Sequence, residues 1–130
     1  MLKETITYTD FNGNTRTEDF YFHLNKAEVT KMEMGVKGGL AEKIKRIVAA
    51  EDTPAIIEVF EDLIKKSYGV KTLDGRGFMK TQAALDEFMA TEAYSELFMK
   101  LATNDEAAAR FINGVVPADL SKQIAAANNN

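Results

Sequence analysis

The chain has 130 residues, with 16 Lys plus Arg against 20 Asp plus Glu, one His, no Cys and no Trp, and a formal net charge of −4. A hydrophobic fraction of 45% and a charged fraction of 28% are those of a globular domain able to fill a core, and exclude a disordered tail or a fibre. With no Cys there is no disulfide framework, no thiolate metal site and no Cys nucleophile.

Nucleic acid is held by Lys and Arg neutralising phosphates. The densest basic stretch, Lys37, Lys43, Lys45 and Arg46, is diluted by Glu42 and Glu51, as on a solvated helix face. The expectation is therefore no nucleic-acid partner. No window reaches the ~18 apolar residues of a membrane span. The opening MLKETITYTD lacks the apolar core of a signal peptide, so the expected setting is cytoplasmic, with no membrane partner.

Leu2 to Thr9 alternates, with Leu2, Ile6 and Tyr8 on one parity and Lys3, Thr5 and Thr7 on the other, which is the period of a half-buried strand. Asn12-Gly13 is a turn signal, because both residues tolerate positive φ. Thr15 to Leu24 reads as the returning strand, with Phe20, Phe22 and Leu24 facing one way and Thr17, Asp19, Tyr21 and His23 the other. A two-stranded hairpin is barely stable alone in water, so helices must cover at least one face.

Asn25 and Glu28 have the spacing of a capping box for a short helix from Lys26 to about Met34. Gly35 stops that helix, and Gly38-Gly39 makes a joint. Leu40, Ile44, Ile47 and Val48 form an apolar stripe to about Ala50. Thr53-Pro54 reads as a cap with Pro at the first helical position. Ile56, Ile57, Val59, Phe60, Leu63 and Ile64 then give Pro54 to Lys66 the strongest helical period in the chain.

Ser67 to Lys80 carries three glycines and an Asp74-Gly75 turn, flanked by Val70 and Phe78-Met79. It reads as a second small hairpin or an extended arm. Helices follow over Thr81 to about Ala90, Glu92 to Ala102 (Thr91 as cap) and Asp105 to Asn113 (Asn104 as cap), the last ended by Gly114 as a C-cap glycine. Val115-Val116-Pro117 is extended, and a last helix from Ala118 fades near Ala127.

The expected fold class is α+β, mainly α: an N-terminal β-hairpin followed by five or six short packed helices. It forms one domain over residues 1–127, with the hairpin at about 2–24, the helical part at about 26–127, and 128–130 as a flexible tail.

Reactive chemistry is sparse. His23 has no Cys or Ser at a known nucleophile spacing, and Ser67, Ser95 and Ser121 lie in no Gly-x-Ser-x-Gly elbow. A triad assembled in space is not readable from sequence, but a structural His is the simpler reading. Glu58, Glu61 and Asp62 could suit only a hard cation, and their helical spacing equally makes a solvated face. Gly35, Gly38 and Gly39 do not form a dinucleotide fingerprint, and Asp74-Gly75-Arg76-Gly77 lacks the Gly-Lys-Ser/Thr ending of a phosphate loop. No catalytic residue, metal or cofactor is expected. The unusual feature is soft apolar side chains in the second half: Phe78, Met79, Met89, Phe98 and Met99. Met fills cores but also serves adaptable binding surfaces, and these five are the candidate partner-binding residues.

Three stretches, ITYTDFNGNTRTEDFYFHLNKAEVTKMEM, GGLAEKIKRIVAAEDTPAIIEVFEDLIKKSYG with DGRGFMK after it, and TEAYSELFMKLATNDEAAARFINGVVPADL, together resemble the tail assembly chaperones of long-tailed, siphovirus-type bacteriophages of Gram-positive hosts. The resemblance covers nearly the full length and contains no compact catalytic signature. It implies a non-enzymatic protein that binds the tape-measure protein, keeps its apolar helices soluble, helps recruit tail-tube subunits, and leaves before the virion is finished. It further implies action in the host cytoplasm, a longer frameshifted form in many members, and repeated copies on one client. A homo-oligomer is compatible with the two-faced aromatic run Phe20 to Phe22. The competing reading is a permanent tail-completion or connector subunit; a small hydrolase or an acidic inhibitor of a host protein is a more distant one.

Overall fold

The computed structural model describes residues 1–34, 42, 43, 46, 49–51 and 53–116. The chain opens with β1 (Leu2–Thr9) and β2 (Thr15–Phe22), paired antiparallel from Leu2↔Phe22 to Thr9↔Thr15. Gly13 turns the corner at φ +84°, a region that costs a residue with a Cβ. Asp10 organises the turn: one carboxylate oxygen accepts the Asn12 and Asn14 amides, each at 2.9 Å, and the other accepts Arg16 Nε at 2.7 Å.

A second hairpin follows much later, from β3 (Tyr68–Lys71) and β4 (Phe78–Met79). β3 pairs with β2 through Tyr21↔Gly69 and Phe22↔Tyr68, so the two hairpins make one antiparallel sheet in the order β1-β2-β3-β4. Of the two readings open in the sequence for Ser67 to Lys80, the structure adopts the hairpin.

Directly opposed residues share a face, so the register sorts the side chains. Ile6, Tyr8, Phe22 and Tyr68 point to an inner face; Thr7, Thr17, Asp19, Tyr21, Gly69, Lys71 and Phe78 point to an outer one. Helices cover the inner face. The Phe22 ring is fully buried between Tyr68, Phe88 and Phe111, at centroid distances of 5.7, 5.9 and 5.3 Å. Tyr68 stacks on Phe88 at 4.4 Å. Leu24, Leu63, Ile64, Leu97 and Val115 complete the dry centre. Each such side chain contributes about 1.5–3 kcal/mol by leaving water.

Five helices stand among the described residues: α1 (Lys26–Met34), α2 (Thr53–Ser67), α3 (Gln82–Met89), α4 (Glu92–Thr103) and α5 (Asp105–Val115). The architecture is α+β and mainly α, as expected. The capping box on α1 is reciprocal: the Glu28 amide donates to Asn25 Oδ1 at 2.8 Å, and the Asn25 amide donates to Glu28 Oε1 at 3.0 Å. Thr81 and Asn104 cap α3 and α5 by accepting the amides of Ala84 and Ala107.

Thr91 holds the N-cap position of α4, as expected, but its hydroxyl makes no cap bond there and donates back to the Phe88 carbonyl instead. Gly114 does not end α5, which runs on to Val115. The absent side chain serves packing there: a Cβ on Gly114 would meet Leu2 Cδ1 at 2.8 Å, so glycine lets the helix lie against β1. The stop at Gly35, the joint at Gly38-Gly39, the stripe residues Leu40, Ile44, Ile47 and Val48, and the last helix from Ala118 fall outside the described residues. No described helix is long and apolar enough to cross a membrane.

Candidate functional site

Among the described residues, His23, Ser67 and Asp74 make structural contacts. His23 follows β2, and its amide donates to the Ser67 carbonyl at 2.8 Å. The two residues are thus neighbours, but the Ser67 hydroxyl is buried and donates to the Leu63 carbonyl of its own helix. The imidazole stands edge-on to Phe78 at 6.3 Å, with Nδ1 buried and without a hydrogen-bond partner among the described residues. Burial, then the positive amino terminus and Lys80, push its pKa below the ordinary histidine value, against a small opposing effect of Glu28. A neutral ring against an aromatic edge is packing material.

Glu61 and Asp62 pair with Lys65 and Lys66 one turn on, at 2.7 and 2.9 Å, the habit of a solvated helix face. No group of acidic and histidine side chains able to hold a metal exists among the described residues. Asp74-Gly75-Arg76-Gly77 is a turn. Gly75 sits at φ +75°, and Asp74 accepts the Arg76 amide and the Thr72 hydroxyl at 3.0 and 2.7 Å. These bonds hold the Asp74 carboxyl below its ordinary pKa.

What is left to act is exposed apolar surface. Val70, Leu73 and Met79 all lie on the second hairpin, 47%, 110% and 52% exposed. Val70 opposes Met79 directly across β3 and β4, so both sit on one face, at the sheet edge farthest from β1. The hairpin is also basic: Lys71, Arg76 and Lys80 accompany a single acid, Asp74. Lys71 Nζ lies 4.2 Å from the centre of the Tyr21 ring, a favourable cation–π distance. Lys80 reaches both Glu28 oxygens at 2.7 and 2.8 Å, which ties the hairpin to the N-terminus of α1. Burial opposes the charge on Glu28, but the Asn25 amide and Lys80 outweigh it, and its carboxyl is held below the usual range. A groove of about 270 Å³ lies between α1 and α2, lined by Met32, Ala55, Val59 and Leu63 with Lys43, Glu58 and Asp62.

The five residues singled out in the sequence do not form one patch. Phe78 is on the outer face, where its ring lies over Gly69; a Cβ there would stand 2.6 Å from Phe78 Cε2. Met79, its neighbour in sequence, is on the inner face. Met89 is half-buried at the end of α3. Phe98 packs against the core beside Tyr94, at 6.2 Å between ring centroids. Met99 is 54% exposed on the solvent side of α4. Among the described residues, five other large apolar side chains are exposed and were not among the five: Met1, Phe11, Met34, Val70 and Leu73. Leu73 had a sequence signal: an apolar residue immediately before an Asp-Gly turn has no helix or strand to bury it.

A family model described as phage tail assembly chaperone matches residues 1–130. No curated protein and no solved structure matches the chain.

Proposed function

The chain belongs to the phage tail assembly chaperone family, and from that premise we propose that it works by adhesion, binding the tape-measure protein, keeping its apolar helices soluble and helping to recruit tail-tube subunits. The observation that carries this reading is the exposed Val70-Leu73-Met79 cluster on a basic hairpin, in a molecule whose candidate nucleophile and histidine are turned to packing. Apolar surface left in water on a soluble protein usually marks a binding surface. Methionine suits a client whose sequence varies along its length, because an unbranched thioether refits to each new neighbour.

The proposed client contacts are Met79 with Val70 and Leu73, together with Phe78, Met89, Phe98 and Met99. Each contact is small. Many copies on one long client multiply such contacts through effective concentration, and the net charge of −4 favours solubility of the loaded complex. The setting is host cytoplasm during assembly, and the proposed chaperone does not remain in the finished particle.

The test is co-expression with the tape-measure protein encoded by the same genome. The native chain is expected to hold it in the soluble fraction, and Met79→Asp with Met89→Asp to lose it. Full solubility with that double variant would remove these residues from the client surface. The second reading, a permanent tail component, is separated by mass spectrometry of purified particles, in which the proposed chaperone leaves no stoichiometric signal.

A further inference from the structure

The second hairpin reaches past the helices that cover the rest of the sheet. β2 pairs with β3 only at Tyr68 and Gly69, and the ring of Tyr68 is covered by Phe88 of α3 at 4.4 Å. Alternation puts Val70 on the same inner face as Tyr68, with Met79 directly opposite it. The Thr72 amide donates to the Gly77 carbonyl at 2.8 Å and closes the turn. A shallow, open concavity at the tip is lined by Thr72, Leu73, Asp74, Arg76 and Gly77. Among the described residues, the helical layer therefore ends at Tyr68. Beyond it lies an apolar strip, Val70 and Met79, that finishes in the fully exposed Leu73.

The cations of this hairpin are not equivalent. Lys71 opposes Phe78 on the outer face, with its Nζ 4.2 Å from the centre of the Tyr21 ring. Lys80 is bound by Glu28. Arg76 is exposed beside Leu73 in the lining of the concavity, and its guanidinium forms no ion pair among the described residues. Asp74 accepts the Thr72 hydroxyl and the Arg76 amide. The exposed strip thus carries one uncommitted cation, in a chain whose net charge is −4.

These placements select one occupant. β4 is two residues long, too short to template an added strand. The strip continues a face otherwise layered with helices, so a helix is the element that extends the layer. A single free guanidinium is the donor fork of a carboxylate partner. An anionic membrane or a nucleic acid is instead held by several cations at once, and the acidic remainder of the chain repels both. We infer that the hairpin reads charge as well as apolar surface. It takes a client helix whose apolar stripe seats on Val70, Leu73 and Met79 and is bordered by Asp or Glu facing Arg76, and it rejects one bordered by Lys or Arg. The inference rests on the client reading of this hairpin, and adds the chemistry by which one stretch of client is preferred to another. Loading is then biased toward acid-bordered stretches.

Fluorescence anisotropy of the purified full chain with three labelled synthetic helical peptides tests it. The peptides share one apolar stripe, and its borders are Glu, Gln or Lys. At low salt the Glu peptide is expected to bind about tenfold more tightly than the Lys peptide, with Gln between, and the gap to close as salt is added. The net charge of −4 by itself favours the Lys peptide, so a Glu preference reports the hairpin. Arg76→Glu should reverse the order with unchanged circular dichroism, and Val70→Asp with Met79→Asp should weaken all three peptides together. A native chain that binds none of the peptides or all of them equally, an order that survives Arg76→Glu, or tighter association with phosphatidylglycerol vesicles or duplex DNA than with the Glu peptide would each overturn the inference. Co-expression with the tape-measure protein separates it from the reading beneath it. If Val70→Asp with Met79→Asp leaves the client fully soluble, the hairpin is not a client surface and both fall. If that variant loses the client while the peptide order ignores Arg76, only the charge selection falls.

Discussion

The two hairpins are built by the same local chemistry and end with opposite surfaces. Each turns on a glycine at positive φ, Gly13 at +84° and Gly75 at +75°, with an Asp carboxylate accepting a backbone amide two residues on. In the first, eight-residue strands bring Ile6, Tyr8 and Phe22 under the helices, where each is less than one-tenth exposed. In the second, strands of four and two residues leave Val70 and Met79 about half in water. Turn chemistry sets where a chain reverses. Whether its apolar residues become core or contact surface depends on what later arrives above them.

The comparison breaks most sharply at Phe22. Phe22→Ala is expected to cost about 3–5 kcal/mol of unfolding free energy by denaturant titration, whereas Val70→Ser, in the exposed hairpin, should stay within about 0.5 kcal/mol. A large cost at Val70 would show that the second hairpin is core after all. Next in size is Gly69→Ala, whose new Cβ would stand 2.6 Å from the Phe78 ring and 3.0 Å from the Met79 carbonyl. Overpacking of this kind costs about 1–3 kcal/mol. Adding Phe78→Ala should recover part of it, a non-additivity that a double-mutant cycle measures.

Gly13→Ala and Gly75→Ala meet open space, so only backbone strain opposes them, about 1 kcal/mol each. Equal costs would confirm that the two turns are locally alike. Lys80→Met should cost about 0.5–1 kcal/mol at neutral pH, discounted for the partial exposure of both partners. Glu28 has a folded pKa below its unfolded value, so the stability it contributes is present above the unfolded value and lost as pH falls through the folded one. The difference between native chain and Lys80→Met should therefore shrink in acid.

The smallest effect belongs to His23. Its folded pKa is depressed by burial, so the unfolded chain takes up the proton first, and stability should decline as pH falls below about 6.5. His23→Gln should flatten that slope in thermal melts without moving the neutral-pH value far.

Much of the frame was legible because it rests on short-range rules. Alternation in Leu2 to Thr9 needs only the strand period, and the capping box at Asn25 and Glu28 needs only three residues of spacing. Gly114 departs from the C-cap expectation because a glycine near a helix end satisfies that rule equally well, and nothing nearby in sequence announces Leu2 against it. Phe78 and Met79 looked like one greasy dipeptide, yet strand alternation sends them to opposite faces, which becomes visible only once the pairing with Val70 and Lys71 is fixed. Phe98 and Met99 divide in the same way around a helix.

By itself, then, the sequence determined the element types, the two turns, most of the caps and the paucity of reactive groups, since each follows from backbone propensities and contacts a few residues long. Tertiary structure alone decided which apolar side chains are sealed and which face water, and that the basic hairpin stands at the edge of the sheet farthest from β1. The reason is physical: burial and long-range charge arrangement depend on residues tens of positions apart, and no local pattern encodes which element will cover which.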